Sequence, residues 1–420
     1  MTALNASFDT IESAILPLLP QHKQSLARFN AMLQAGDIAT VTVVGKYNHG
    51  KSRLLNELIG DDIFKVADKR ETIQLADHLY NHTRWLDAPG LDADVQHTDD
   101  ELAQVAIWQQ ADIRLFVHSL REGEFDEAEL TLLSQLLADE TRTQRQTLVV
   151  FTQLDQVADS EILAQIRQRL QQQLALDDAY FVSAQRHRMG IEKNKPLLVE
   201  KSGITQLQQA LTQHLINVPK RRVFEKSYIC QHIRDDLTQL HDDIQQNIAQ
   251  LTQFLADQRR DFDQELVQIL DKIQQDLTPI MQVEGKDASL EVDSFAMKYQ
   301  LTQGKKDRNR IQLAYSRACI DLNSHLIRYG VVGLPDKQKT ASPSLNSVIV
   351  AVLGISIKLR RELNIIFFQS AGRQRLQREF AHYFEQSQRR MADKQQLKDY
   401  HATLSCIENA LAAVKDMEQL

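Results

Sequence analysis

The sequence predicts a mostly parallel α/β domain with helices on both faces of its sheet, followed by an all-α bundle or stalk. Three observations predict it. From Ile38 to Val218, short β-branched runs alternate with amphipathic segments, the pattern of strands buried between helix layers. After Pro219 strand signals nearly vanish and apolar residues recur at helical spacing. One glycine loop, Gly45-Lys46-Tyr47-Asn48-His49-Gly50-Lys51-Ser52, stands between a strand-like run and a helix-like one, on the edge where parallel sheets bind ligands.

Residues 1–36 come first. Phe8 to Leu33 carries apolar residues at helical spacing broken by Pro17 and Pro20, so two short helices precede the first strand and Gly36-Asp37 ends the second. They are expected to pack with the helical region. The α/β domain spans 37–218. Its strands are expected at Ala39 to Val44, Arg84-Trp85-Leu86, Ile113 to Val117, Thr147 to Phe151 and Ala179 to Val182. The helices between them are expected at Ser52 to Ile59, Glu101 to Gln110, Glu127 to Leu137, Glu161 to Leu174 and Ile204 to Leu215. Residues 219–420 form the helical region. A stripe from Ile233 to Leu277 steps by about 3.67 residues, the period of a straight helix rather than a strict heptad. Thr278-Pro279 is expected to stop it. Ile311 to Arg328 is again helical, Gly330, Gly333 and Pro335 break the pattern, and Gln374 to Leu420 closes the chain with amphipathic helix. Leu345 to Ile357 is its most apolar stretch.

Five segments in order carry the chemistry. In the first, Gly45 and Gly50 allow close approach of backbone to an anion, and successive N–H groups with the helix N-terminus cradle phosphates. Lys51 bridges the β- and γ-phosphates and the Ser52 hydroxyl ligates Mg²⁺; Asn48, His49 and Arg53 are placed in the same cradle. The second is Thr72, whose hydroxyl completes the metal shell when a γ-phosphate is present. The third, Asp87-Ala88-Pro89-Gly90, brings Asp87 to Mg²⁺ through a water and the Gly90 amide to the γ-phosphate. The fourth is Thr152-Gln153-Leu154-Asp155. A carboxylate at Asp155 accepts from the guanine N1–H and exocyclic amine together, which adenine does not offer. The fifth, Ser183-Ala184, offers a backbone amide to the guanine carbonyl. The ordered set points to hydrolysis of GTP to GDP and phosphate, with GTP or GDP and Mg²⁺ as cofactors.

Whole-chain properties fit a cytoplasmic protein of two or three domains. A net charge of −7 argues against nucleic acid as a partner through bulk charge. Cys230, Cys319 and Cys406 are far apart and lack paired metal spacing, as expected of reduced thiols. No secretory signal opens the chain, and no run reaches the ~18 to 20 apolar residues of a spanning helix.

The residues from Ile38 to Val218 resemble the P-loop GTPases of the translation-factor class, and most of all the TrmE–Era-like and dynamin-like branch. Gly45-x-x-Asn48-x-Gly50-Lys51-Ser52, Leu54-Leu55-Asn56, Thr72 at its offset and Asp87-x-Pro89-Gly90-Leu91 carry the match. The resemblance implies that Asn48 helps bind K⁺ beside the phosphates, supplying charge that other GTPases take from an arginine finger. It implies catalytic roles for Lys51, Asn48 and Thr72. Leu91 stands where Ras-like enzymes carry a water-orienting glutamine, so the switch loops or a second protomer position the water. Gln153 stands where a lysine commonly covers the base, and His49 is a second departure. The dynamin-like likeness also implies a nucleotide-dependent homodimer and a peripheral membrane contact, at the inner face of the membrane, through 345–361. There the apolar stretch is followed by Lys358, Arg360 and Arg361; a buried bundle helix is the alternative for Leu345 to Ile357. Two other functions fit the same motifs: an Era-like RNA- or ribosome-associated GTPase, and a nucleotide-binding scaffold with little turnover. Against the first, the C-terminal half shows no Gly-x-x-Gly loop with an alternating sheet, and its basic clusters are small.

Overall fold

The computed structural model describes residues 2–64, 76–88, 97–157, 160–174, 179–282, 285–292, 295 and 299–420. Two compact units emerge, Met1–Leu240 with Cys406–Leu420, and His241–Ser405. The sequence places its boundary at 218/219; the compact units divide at 240/241, and the last residues of the chain belong to the first unit.

The first unit is built on a sheet of β1 (Ala39–Val44), β2 (Ala76–Tyr80), β3 (Thr83–Asp87), β4 (Ile113–Ser119), β5 (Gln146–Thr152) and β6 (Ala179–Phe181). The order is β2-β3-β1-β4-β5-β6. Every neighbouring pair is parallel except β2 with β3, which is antiparallel. Alternation along β4 divides the core. Ile113, Leu115 and Val117 face a layer holding Leu54, Leu55, Ile204 and Leu207. Phe116 faces the opposite layer with Ile107, Phe125, Leu133 and Leu136. Each such buried side chain contributes roughly 1.5–3 kcal/mol of transfer free energy.

The sequence reading omitted β2. Its Leu79 and Tyr80 are exposed, so it lacks the apolar run of the inner strands. The signal lay in its turn. Asn81 and His82 take φ of 47° and 58°, the left-handed pair that two-residue hairpins favour. The helices Ala184–Glu192 and Pro196–Glu200 were also unpredicted. They pack so closely that a Cβ on Gly190 would lie 2.7 Å from Val199 Cγ2.

Residues 1–36 form helices Thr2–Ile15 and Lys23–Ala35. They pack on the α/β domain as well as on the first turns of the long helix. Arg28 is buried and donates to Asp112 Oδ1 at 2.8 Å and Glu225 Oε2 at 2.9 Å, and also to the carbonyls of Gln109 and Gln110. Arg222 donates to the same Asp112 and to the Gly36 and Ile38 carbonyls. Arg222 is therefore an internal cation of the first unit. The long helix runs Val218–Met281 and carries Pro279 in its last turn. The stop expected at Thr278-Pro279 falls slightly later, because a proline so near the end costs a single intrahelical N–H bond.

In the second unit, Phe262, Leu266, Ile273 and Leu277 of the long helix pack with Tyr315, Leu322 and Leu326 of helix Gln303–Arg328 and with Phe380 and Phe384 of helix Ser370–Glu385. The apolar stretch from Leu345 to Ile357, for which a bundle helix and a membrane contact are both expected readings, contributes to this core. Val348, Ile349, Val352, Leu353 and Ile357 are all buried. Arg360 is buried too, donating to the Ile280 carbonyl and pairing with Asp287 and Asp307. Arg308 donates to the Ser289 and Glu291 carbonyls. Bundle packing thus consumes most of the apolar surface of 345–361 and one of its cations, as the bundle-helix reading of that stretch expects. Exposed apolar groups gather elsewhere. Leu290 and Leu301 are exposed, and Val292, Phe295 and Tyr299 are each at least 90% exposed. No described helix is long and apolar enough to cross a membrane.

Candidate functional site

The glycine loop leaves the carboxyl end of β1 and runs into helix Lys51–Ile59. Gly45 is dictated by packing, since a Cβ there would lie 2.2 Å from the Val117 carbonyl oxygen. Asn48 and Gly50 take positive φ, 62° and 81°, which curls the loop over the helix N-terminus. Lys51 is buried beneath it, donating to the carbonyls of Gly45 at 2.9 Å and Lys46 at 2.7 Å. Arg53 is exposed on the first helical turn.

The parallel register sets Asp87 beside Val43, so the tip of β3 ends next to the loop. The Ser52 hydroxyl donates to Asp87 Oδ2 at 2.5 Å. Asp87 is buried, which pushes its carboxyl above the usual range, against the pull of the Ser52 hydroxyl and the Lys51 ammonium. Two hard oxygen donors thus converge, a set suited to Mg²⁺. Thr72 and Gly90 lie outside the described residues.

The fourth and fifth segments also meet. Asp155 sits in the turn Leu154–Gln156 after β5, and its Oδ1 accepts from the Ser183 hydroxyl at 2.5 Å. Ser183 Oγ in turn accepts from the Arg186 amide at 3.0 Å, capping the helix that begins at Ala184. Thr152 and Gln153 brace the phosphate loop. The buried Thr152 hydroxyl donates to the His49 carbonyl at 2.6 Å. Gln153 donates from Nε2 to the Asn48 carbonyl at 3.0 Å and accepts at Oε1 from Ser119 Oγ at 2.8 Å.

Sequence reasoning missed the groups beneath the loop. His49 points inward and is fully buried, with Nδ1 3.2 Å from the Val117 carbonyl and its ring edge-on to His118 at 5.1 Å. Its Nε2 lies 3.0 Å from Glu122 Oε2 but off the line of a hydrogen bond. His118 Nδ1 is 2.8 Å from Glu129 Oε1. Burial alone would raise Glu129, but the hydrogen bond and charge of His118 hold its carboxyl below the usual range. Glu129 also completes the capping box of helix Glu127–Thr143, while Lys46 pairs with Asp126, the residue that caps it. The available signal was a histidine inside a fully buried strand, Ile113–Ser119, since a buried polar group needs a partner.

Residues 40–153 match the family described as 50S ribosome-binding GTPase. "Uncharacterized protein ACIAD1443" of Acinetobacter baylyi is 52% identical over 404 residues, 96% of each chain. GTPase Era of Desulfovibrio desulfuricans is 30% identical over 173 residues, 38% of this chain and 55% of that one. A solved structure of an oligomerised bacterial dynamin pair is 14% identical with a TM-score of 0.36, covering 99% of this chain and 80% of that chain. Likeness at that last level extends to neither function nor partners. The protein belongs to one family with the Acinetobacter baylyi chain, and its first unit carries a P-loop GTPase domain for guanine nucleotide.

Proposed function

We propose that the protein hydrolyses GTP to GDP and phosphate and uses the nucleotide state to act on its helical region. The observation that carries this reading is the convergence of Lys51, Ser52 and Asp87 at the tips of β1 and β3. Ser52 and Asp87 would hold Mg²⁺, with Thr72 as the switch-loop ligand; the ion supplies positive charge against the phosphate oxygens. Lys51 pairs with the same oxygens, and the loop amides bind the phosphates as charge develops on them. Water attacks the γ-phosphorus, the bond to the β–γ bridging oxygen breaks, and GDP leaves. Asp155 accepts from the guanine N1–H and amine. The Ser183 amide is already given to the Ser202 carbonyl at 2.8 Å, so the amide left for the guanine carbonyl is that of Ala184. The Asn48 side chain is the candidate K⁺ ligand, and Leu91 leaves water positioning to the switch loops or a second protomer.

The test is GTP turnover per molecule in K⁺ and in Na⁺ over a range of protein concentrations, with Lys51→Ala as the inactive control. We expect turnover to rise with K⁺ and with concentration. Rates flat in both comparisons remove K⁺ assistance and homodimer activation together. Absence of GTP or GDP uptake in magnesium buffer removes the whole reading.

A membrane-associated version draws support from Leu290, Val292, Phe295, Tyr299 and Leu301, exposed apolar groups close together along the chain, since exposed apolar surface marks binding sites. In liposome co-sedimentation with a GTP analogue, a Phe295→Ser, Tyr299→Ser variant is expected to lose the bound fraction. Equal pelleting of wild type and variant, or none by wild type, refutes contact through this stretch.

A further inference from the structure

Away from the nucleotide site, we propose that His22, His232 and Asp236 form a binding site for a divalent first-row transition ion of the zinc type. His22 ends the turn Pro20–His22 that leads into the second N-terminal helix. His232 and Asp236 lie one turn apart on the long helix, the separation at which two side chains share a helix face. His22 Nε2 is 2.7 Å from Asp236 Oδ2, and His232 Nδ1 is 3.8 Å from the same oxygen. One ligand atom from each of the three residues falls within 4.8 Å of the other two. A tetrahedral ion with bonds of about 2.1 Å needs ligand atoms about 3.4 Å apart, so the observed separations bracket the requirement.

The chemistry is as specific as the spacing. Two imidazoles and one carboxylate suit zinc, iron, copper or nickel over calcium or magnesium, which take oxygen donors. The three residues line a groove of about 1000 Å³, which gives an ion a path in and leaves room for a water as fourth ligand. The cations lining that groove are already matched. Arg28 pairs with Asp112 and Glu225, and Arg145 with Asp139 and Glu225. Asp236 is therefore the acid left facing the two histidines, and the hydrogen bond from His22 holds its carboxyl below the usual range. The other such cluster among the described residues, His49, His118 and Glu129, is fully buried, and its Glu129 is committed to a helix cap. An ion at His22 would fasten the N-terminal helices to the long helix within the first unit.

The experiment is a Zn²⁺ titration of the full chain in competition with a chromophoric chelator, repeated with Mg²⁺ and with two variants. His232 is half exposed and Asp236 partly so, so His232→Ala and Asp236→Asn leave the core alone, and the asparagine still accepts from His22. We expect saturation at one Zn²⁺ per chain, no competition from Mg²⁺, and affinity at least about tenfold weaker in each variant. GDP binding should be unchanged in both. Zn²⁺ should also raise the unfolding temperature of the wild type and lose that effect in the variants. No stoichiometric uptake by wild type, or wild-type affinity in both variants, overturns the assignment.

Discussion

Replacing Asp155 by asparagine should move the preferred base from guanine to xanthine. The Asp155 carboxylate is oriented by the Ser183 hydroxyl at 2.5 Å. Its turn is pinned by the Leu154 amide, which donates to the Val182 carbonyl at 3.2 Å. Guanine presents two adjacent donors, N1–H and the exocyclic amine, and a carboxylate accepts both. An asparagine amide offers one acceptor and one donor. Facing guanine, one hydrogen bond survives without its charge assistance and the other becomes donor against donor. Hydrogen bonds to charged groups contribute roughly 1.5–3 kcal/mol each. The expected loss is therefore about 2–4 kcal/mol, or roughly 30- to 1000-fold in GDP affinity. Xanthine carries a carbonyl where guanine has its amine, so the asparagine donor finds an acceptor and affinity for the xanthine diphosphate should rise. The amide oxygen still accepts from Ser183, so the unfolding temperature should shift by no more than about 2–4 °C. The assay is displacement of a fluorescent GDP analogue by GDP, the xanthine diphosphate and ATP. GDP affinity within threefold of wild type, with no gain for the xanthine nucleotide, refutes the role given to Asp155.

Gly45→Ala should abolish GDP binding and destabilise the fold by about 1–3 kcal/mol, the usual range for an over-packed site. The new methyl would sit 2.2 Å from the Val117 carbonyl oxygen and must push the loop off β4. Chemical denaturation with a GDP-binding measurement checks both, and wild-type affinity would contradict the geometry. In the second unit, burial raises Glu385, but hydrogen bonds from Lys394, Arg390 and Arg259 outweigh it and bring its carboxyl from 4.5 down to about 2. A depressed folded-state value means that the contribution to stability is complete above pH 4.5 and is lost as pH falls toward about 2. Urea unfolding of wild type and Glu385→Gln should give a stability gap that narrows across that window; a gap independent of pH would exclude the linkage.

The sheet was readable because its inner strands are apolar and stand before helices of clear period. β1, read from Ala39 to Val44, has the same limits in the fold. β2 escaped because an edge strand need not be apolar. The apolar stretch from Leu345 to Ile357 was ambiguous for a physical reason: a core segment and a lipid-facing one have the same composition. Only Phe262, Tyr315 and Phe380, brought to one core with it from distant parts of the chain, decide the matter. The phosphate loop and Asp87 were legible because spacing along the chain fixes them. Glu122, Glu129 and His118 were not, since their relation to the loop depends on strand pairing, on the face of β4 that His118 takes and on how the segment and helix after β4 fold back beside it.

The two departures from the family pattern, His49 and Gln153, serve the same purpose. Thr152 fixes the His49 carbonyl and Gln153 fixes the Asn48 carbonyl. A trans peptide is planar, with C=O and the following N–H pointing opposite ways. Fixing these two carbonyls toward β5 turns the amides of His49 and Gly50 away from it, into the concave side of the loop. The His49 ring, inserted against His118 and the Val117 carbonyl, holds the same segment from below. Loop orientation is thus supplied by neutral side chains from neighbouring strand ends. A lysine at 153 could make the same bond to Asn48 and add a cation over the base, a contact worth about 0.5–2 kcal/mol. The glutamine forgoes that contact while its amide remains tied at both ends, to Ser119 and to Asn48. Loop geometry and base affinity are therefore separable at this position. Gln153→Lys should tighten GDP binding, whereas Gln153→Ala should loosen it through the loop; GDP affinity unchanged in Gln153→Ala would refute the bracing role.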